Sequence, residues 1–354
     1  MNMKKAAGIL IPCALAGTFA VSSVKFADYA VSIKPQTLEE AWNWQKDHYD
    51  VSWYKDTDPV EYTVESYDGY TLHAVLMHAR GPAGEASPSA PDLSAKASAS
   101  DTDPSAKASA SDTDPSAKAS ASDTDPSDSA SASGGRFVIC SHGYTDNRYG
   151  TLKYAKIYLD LGYNVIAYDL RGHGENERTF CTYSIREAKD LSCLIEDAYA
   201  RFGQDITLGL HGESLGAATS VAVLKYTQKP AFVVADCGFA DIMNVLKGGL
   251  KNMNPALVPM VWPASLAAKI KYGYSFTDMR PIDSLKDNHV PVLFIHGEDD
   301  TFIDPSNSRR MAGASAGYTE FFLIPGAVHA KSVLTRPEMY TEYVTDFLQK
   351  VGSM

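Results

Sequence analysis

The stretch LGLHGESLGAAT, Leu208–Thr219, places Gly212 and Gly216 two residues either side of Ser214. An apolar run, DITLGL, precedes the serine, and a helix-forming run, LGAATSVAVLKY, follows it. Ser214 therefore falls in a strand-to-helix turn. A sharp turn of that kind brings the residues two before and two after the serine against the neighbouring strand and helix. Glycine at both places removes the clash and leaves the hydroxyl exposed at the tip, which is the arrangement a nucleophile needs. The five-residue pattern G-x-S-x-G alone arises by chance in about one chain in ten of this length. Its position between strand and helix carries the reading.

Working outward from the serine, the chain after Gly135 shows six short apolar runs: RFVICSHG, YNVIAYDLRGHG, ITLGLHGESLG, AFVVADCG, VPVLFIHGEDD and TEFFLIPGAVH. Each ends in glycine or polar residues. Stretches with helical character separate most of them: Thr151–Leu161, Ile185–Phe202 and Leu215–Tyr226. Continuous apolar strands alternating with helices predict an α/β fold with a mostly parallel central sheet and helices on both faces. Ligands of such sheets bind beyond the carboxyl ends of the strands, so the informative residues stand just after each run.

A serine hydroxyl needs a base, and the base needs an orienting acid. Glu298, Asp299, Asp300 and Asp304 follow PVLFIHG, and His329 follows FFLIPGAV. Of the other histidines near strand ends, His142, His173 and His211 precede the serine, against the order Ser, acid, His that goes with the G-x-S-x-G pattern. His296 stands directly before the acidic cluster, where it would brace that loop. His329 is thus the candidate base. An oxyanion needs two N–H donors. The residue after the serine, Leu215, supplies one candidate amide, and Tyr144 in the loop SHGYTDN supplies the other.

These motifs in this order resemble the α/β-hydrolase superfamily, in particular bacterial serine hydrolases with one N-terminal membrane segment and a short helical lid. SHGYTDN, YDLRGHG, GESLG, HGEDDTFI and GAVH carry the likeness, which spans about Thr37 to Val351 apart from the repeats. In relatives the fourth motif reads H-G-x-x-D-x-x-V. The resemblance thereby puts the acid on Asp300, with Asp299 as the fallback. Ile303 replaces the valine, and Asp304 stands where proline is common. ENERTFCTYS matches the relatives only loosely. The resemblance further implies an inserted lid over the serine at about 239–285, in a stretch rich in Met, Leu and Pro that suits acyl chains. A packed crossover without substrate contact is the alternative for that stretch.

The resulting expectation is a serine hydrolase cleaving carboxylic esters through Ser214, His329 and Asp300, with an acyl-enzyme intermediate. A peptidase or acyltransferase on the same scaffold is the alternative, and a non-catalytic binding protein is the alternative of a different class. No metal or organic cofactor is implied, and the partner is a small-molecule ester or acyl substrate.

Composition sets the remaining bounds. The chain has 354 residues, is 45% apolar, and carries a formal charge of −11 without a basic tract. Nucleic acid is therefore not an expected partner. Nine acidic residues and three lysines lie between Pro82 and Gly134. Within that tract SAKASASDTDP occurs three times, from Ser94, Ser105 and Ser116. Alanine is its only apolar residue and proline recurs in each copy, so nothing can be buried and disorder is expected. TLHAVLMHA and RFVICSHG, on either side, read as adjacent strands. Before the tract, VEYTVESYD and TLHAVLMHA form a hairpin about Asp68-Gly69, and Leu38, Ala41, Trp42 and Gln45 share one face of a short helix. At the N-terminus, Lys4 and Lys5 precede nineteen uncharged residues, Ala6–Val24. As a helix that run measures roughly 28 Å, close to a bilayer core of ~30 Å. It predicts a membrane anchor with the body outside the cytoplasm, or else a cleaved signal and a secreted protein. The expected organisation is 1–28 anchor or signal, 29–80 helix and first strands, 81–135 disordered insertion, and 136–354 hydrolase core. The five cysteines form no CxxC pair, and Cys181 and Cys193 could pair in an oxidising compartment.

Overall fold

In the computed structural model, residues 21–79 and 135–354 are described. The repeat tract and residues 1–20 lie outside them, and so does the anchor reading except for its last four residues. Among the described residues no helix is long and apolar enough to cross a membrane.

All six apolar runs become strands: β3 (Arg136–Ser141), β4 (Asn164–Tyr168), β5 (Thr207–Glu213), β6 (Phe232–Asp236), β7 (Val292–Gly297) and β8 (Thr319–Ile324). From β3 to β7 almost every residue is buried. Both faces of the sheet are covered, which is why these strands read as unbroken apolar runs instead of alternating ones. With β1 (Val60–Glu65) and β2 (Thr71–Met77), they make one eight-stranded sheet in the order β1-β2-β4-β3-β5-β6-β7-β8. Only β2 runs against the rest. One core cluster forms on each face. This is the α/β-hydrolase fold, as the sequence predicts.

Local chemistry accounts for the connections. The β1–β2 hairpin has a three-residue tip. Ser66 N–H donates to Tyr70 O, Gly69 N–H donates to Ser66 O, and Gly69 adopts φ 76°. That is a type I turn closed by a left-handed residue, a role glycine fills without strain. Helix α2 (Leu38–His48), which follows a helix spanning 21–31 (α1), starts with a capping box in which Thr37 and Glu40 satisfy each other's backbone amides. The predicted helices appear as α3 (Leu152–Asp160), α4 (Arg186–Phe202) and α5 (Leu215–Ala222). The last of these tightens into a 3-10 turn at Val223–Lys225, short of the predicted Tyr226. Between β6 and β7 lie α6 (Ile242–Met253) and α7 (Val261–Tyr272) with short 3-10 turns.

One sequence expectation is corrected. Strands β2 and β3 are not neighbours, because β4 lies between them. Chain order suggested adjacency, but β3 and β4 pair in parallel through α3 and β2 then adds antiparallel to the open edge of β4. Cys181 and Cys193 are both free thiols.

Candidate active site

The turn at Ser214 shows why glycine flanks it. Ser214 holds φ 54° and ψ −110°, a conformation that L-residues rarely adopt. A Cβ on Gly212 would stand 2.3 Å from the Gly216 carbonyl oxygen, and one on Gly216 would stand 2.1 Å from that of Ser141. The strained turn is held by the Ser214 N–H, which donates to Asp236 O at 2.8 Å. Helix α5 begins at the next residue.

Three loops bring the sequence-predicted residues together. His329 Nε2 lies 2.9 Å from Ser214 Oγ, and His329 Nδ1 lies 2.6 Å from Asp300 Oδ2. Asp299, the fallback acid, is outside this chain of hydrogen bonds. Asp300 is buried. Its Oδ1 accepts the Phe302 and Ile303 amides, both at 2.9 Å, and its Oδ2 is shared with His296 Nε2 at 3.1 Å. Burial works to raise the Asp300 carboxyl, but the hydrogen bonds from His296 and His329 outweigh it and hold the group well below the usual carboxylate range. His296 is thus the brace its position suggested. It is fixed in turn by Ser308 Oγ at 2.7 Å and Ile303 O at 2.7 Å.

The two candidate oxyanion donors, Leu215 and Tyr144, line the same cavity as Ser214 and His329. Among the described residues neither amide donates to a protein group. Tyr144 is not a loose surface residue. Its hydroxyl donates to Ser32 O at 2.9 Å, its ring stacks on Tyr183, and its carbonyl faces His173 Nε2 at 2.5 Å. The loop carrying it is tied down further by His142, whose Nε2 accepts the Leu170 N–H at 2.9 Å. Arg148, fully buried, clamps Asp169 at 2.6 Å and Glu175 at 2.5 Å across to the turn after β4.

Sequence reasoning missed a charged cluster beside the serine. Lys153 on α3 and Glu213, the residue before the nucleophile, form a buried ion pair at 2.5 Å. Tyr154 OH lies between two carboxylates, 2.6 Å from Glu213 Oε2 and 3.0 Å from Asp236 Oδ2, and shares its one proton with them. Burial opposes the Lys153 charge, but Glu213 and Asp146 more than compensate and hold the ammonium above its ordinary range. Desolvation pushes Asp146 up to about 6. A lysine on the predicted helix Thr151–Leu161 reads as a solvent-facing charge. The glutamate next to the serine was the only available signal.

The cavity holds about 420 Å³. Phe239, Ile242, Val245 and Leu246, several of them on α6, line its apolar side, and Trp44, Asp146, Lys153 and Lys331 its polar side. The candidate metal-ligand group found among the described residues is Cys237, Asp300 and His329. It is a poor donor set. His329 Nδ1 and Asp300 are committed to each other, and burial pushes the Cys237 thiol up and keeps it protonated.

Comparison with known proteins bears on the fold and the family. Residues 135–240 match a family model described as Hydrolase_4, serine aminopeptidase, S33. The uncharacterized protein YqkD of Bacillus subtilis is 30% identical over 218 residues, covering 61% of this chain and 72% of YqkD. The chain belongs to the α/β-hydrolase superfamily. Within it, the non-heme chloroperoxidase CPO-A1 of Kitasatospora aureofaciens is 23% identical over 261 residues, covering 61% of this hydrolase and 93% of the peroxidase. In structure, the hydrolase superposes on the Pyrococcus furiosus esterase Pf2001 with a TM-score of 0.58 at 17% identity, over 90% of this chain and 98% of the esterase.

Proposed function

We propose that this hydrolase cleaves carboxylic esters by a Ser-His-Asp mechanism. The carrying observation is the continuous hydrogen-bonded chain Ser214 Oγ, His329 Nε2, His329 Nδ1, Asp300 Oδ2, opening into an apolar-sided cavity. Ser214 attacks the ester carbonyl while His329 takes its proton. The oxyanion is met by the Leu215 and Tyr144 amides. His329 then passes the proton to the departing alcohol, and water attacks the acyl-enzyme by the same route in reverse. Asp300 stays ionised throughout and favours the cationic form of His329. Helix α6 acts as the floor of a lid that receives the acyl chain against Ile242, Val245 and Leu246.

The aminopeptidase description of the matched family model makes peptide bonds the second reading. A free amino terminus needs an unpaired carboxylate at the polar end of the cavity. Glu213 is paired with Lys153, and Asp146 shares the polar side of the cavity with Lys153 and Lys331, which offset its charge. Ester substrates therefore fit better. We also propose that the catalytic body lies outside the cytoplasm, tethered by residues 6–24, a reading that rests on the sequence alone. Protease reaching the body on intact protoplasts supports it, and a mature chain starting near residues 20 to 28 would show a cleaved signal.

The deciding experiment is labelling with a fluorophosphonate, followed by turnover of esters of increasing acyl length beside amide substrates. Wild type should label and turn over esters, and Ser214→Ala should do neither. Labelling that persists in Ser214→Ala would place the nucleophile elsewhere. Faster amide than ester turnover would favour the peptidase.

A further inference from the structure

Helices α6 and α7 carry an apolar surface that the cavity does not use. On α7, Val261, Ala264, Ser265 and Ala268 are buried. The opposite face presents Trp262, Leu266 and Ile270, each four residues after the last and thus in one row. They are 59%, 62% and 79% exposed, and Met253 at the end of α6 is 77% exposed. Burial cannot explain such side chains at such exposure, and grouped exposed apolar residues mark an interaction surface.

The charge around this row is opposite to that of the protein. The chain carries −11, yet residues 242–277 contain four lysines and no acidic residue. Lys269 and Lys271 are paired, to Asp278 at 2.9 Å and to Asp28 at 2.8 Å. Lys247 and Lys251 form no ion pair among the described residues. Lys247 Nζ lies 4.9 Å from the Trp262 ring centre, so charge and indole sit side by side. An apolar row with a tryptophan and flanking lysines matches the headgroup layer of an anionic bilayer, where indole and ammonium groups both settle.

The position of the N-terminus points the same way. Asp28 on α1 binds both Lys271 Nζ and, at 2.7 Å, the Tyr272 hydroxyl at the end of α7. Residues 1–20, with most of the apolar run, precede α1. Helix α1, which residues 1–20 precede in the chain, is therefore tied to the helix that bears the row.

We propose that Trp262, Leu266, Ile270 and Met253, with Lys247 and Lys251, form a docking surface for an anionic phospholipid bilayer. Helix α6, whose inner residues line the cavity, then lies between the bilayer and the active site. The proposal does not depend on which atom is the nucleophile.

The test uses the purified full chain and vesicles of phosphatidylcholine and phosphatidylglycerol with brominated acyl chains, which quench tryptophan only at bilayer depth. The chain has four tryptophans, and none precedes Trp42. Insertion of the N-terminal run alone therefore gives no signal. The vesicles should quench about a quarter of the emission, the share of Trp262, which anchors at the interface. Trp262→Phe should abolish the quenching, as should Leu266→Ser/Ile270→Ser, with thermal unfolding confirming that both variants fold. Lys247→Gln/Lys251→Gln should reduce it severalfold, as should vesicles lacking phosphatidylglycerol. Unquenched wild type, or quenching that survives Trp262→Phe, would overturn the proposal. So would a row that instead meets a second copy, seen as a dimer that Leu266→Ser/Ile270→Ser dissociates while vesicles leave the emission unchanged.

Discussion

Replacing Gly216 with alanine puts one methyl group where the structure has no room. The new Cβ would lie 2.1 Å from Ser141 O, 2.5 Å from Ser141 C and 2.7 Å from His142 O. A carbon–oxygen contact closes to about 3.3 Å, so the strand end or the helix start must retreat by about 1.2 Å. Neither is a flexible side chain. The strand end leads into Gly143 and Tyr144, and the helix start carries Ser214 and Leu215. Either movement separates the two proposed oxyanion amides. Misplacement by about 1 Å costs on the order of 100-fold, and loss of one donor costs about 100- to 1,000-fold. Gly216→Ala should therefore lower kcat/KM on a short soluble ester by about 100- to 1,000-fold. Overpacking should also lower stability by about 1–3 kcal/mol. The control is Gly248→Ala in helix α6, where an added Cβ meets nothing within 4 Å. It should leave kcat/KM unchanged and stabilise by up to about 1 kcal/mol. Steady-state kinetics and thermal unfolding on both variants make the comparison. Gly216→Ala with kcat/KM within threefold of wild type would refute the packing argument and the placement of the oxyanion site with it.

Asp300→Asn should fold normally, since its Oδ1 can still accept the Phe302 and Ile303 amides. Its NH₂ would then face His329 and force the wrong tautomer, lowering kcat by about 10⁴, and a loss below tenfold would count against the assignment. Lys153→Met strands the Glu213 carboxylate and should cost about 3–5 kcal/mol, a melting decrease on the order of 10 °C. The double variant Lys153→Met/Glu213→Gln should recover much of that loss in the same unfolding assay. Burial depresses His211 to about 3. The unfolded chain takes up this proton below about pH 6.5, so the contribution is complete above that value and is lost as pH falls toward 3, by about 2 kcal/mol at pH 5. His211→Asn should shrink the difference between melting temperatures at pH 7 and pH 5, and an unchanged difference would show that the loss arises elsewhere.

What was legible in the sequence follows from where the information sits. Strands β3 to β7 are buried on both faces, so their apolar runs stand out, and Ser214 and Asp300 each follow one within a few residues, while His329 follows the half-buried but still apolar run of β8. Motifs local in sequence could therefore be placed in order. Strand adjacency is not local. Nothing in TLHAVLMHA says that it pairs with β4 instead of β3, because the partner is set by how the parallel β3–α3–β4 unit leaves an edge. The Lys153–Glu213 pair was hidden for a similar reason. A lysine on an amphipathic helix has the same sequence signature whether it meets water or a carboxylate sixty residues on. Tyr144 and Leu215 could be named as donors only from their offsets to the turns. The orientation of Tyr144 depends on His142, His173 and Arg148, which join segments far apart in the chain.

Asn164 has a further consequence. Its side-chain oxygen accepts the Ala79 N–H at 3.1 Å, and its NH₂ donates to the Arg136 carbonyl at 3.3 Å. One amide thus clasps the two points between which residues 80–134 leave and rejoin the sheet, at the amino ends of the parallel strands. The clasp is indifferent to what it encloses. Doubling the enclosed length would cost only about 0.6 kcal/mol. Identical tandem units are also prone to gain and loss by replication slippage. Copy number in this tract should therefore drift almost neutrally as far as the fold is concerned, so close relatives can differ in length there while sharing one enzyme. For the engineer, the same position is a splice point at which a foreign module can be carried on the face opposite the nucleophile.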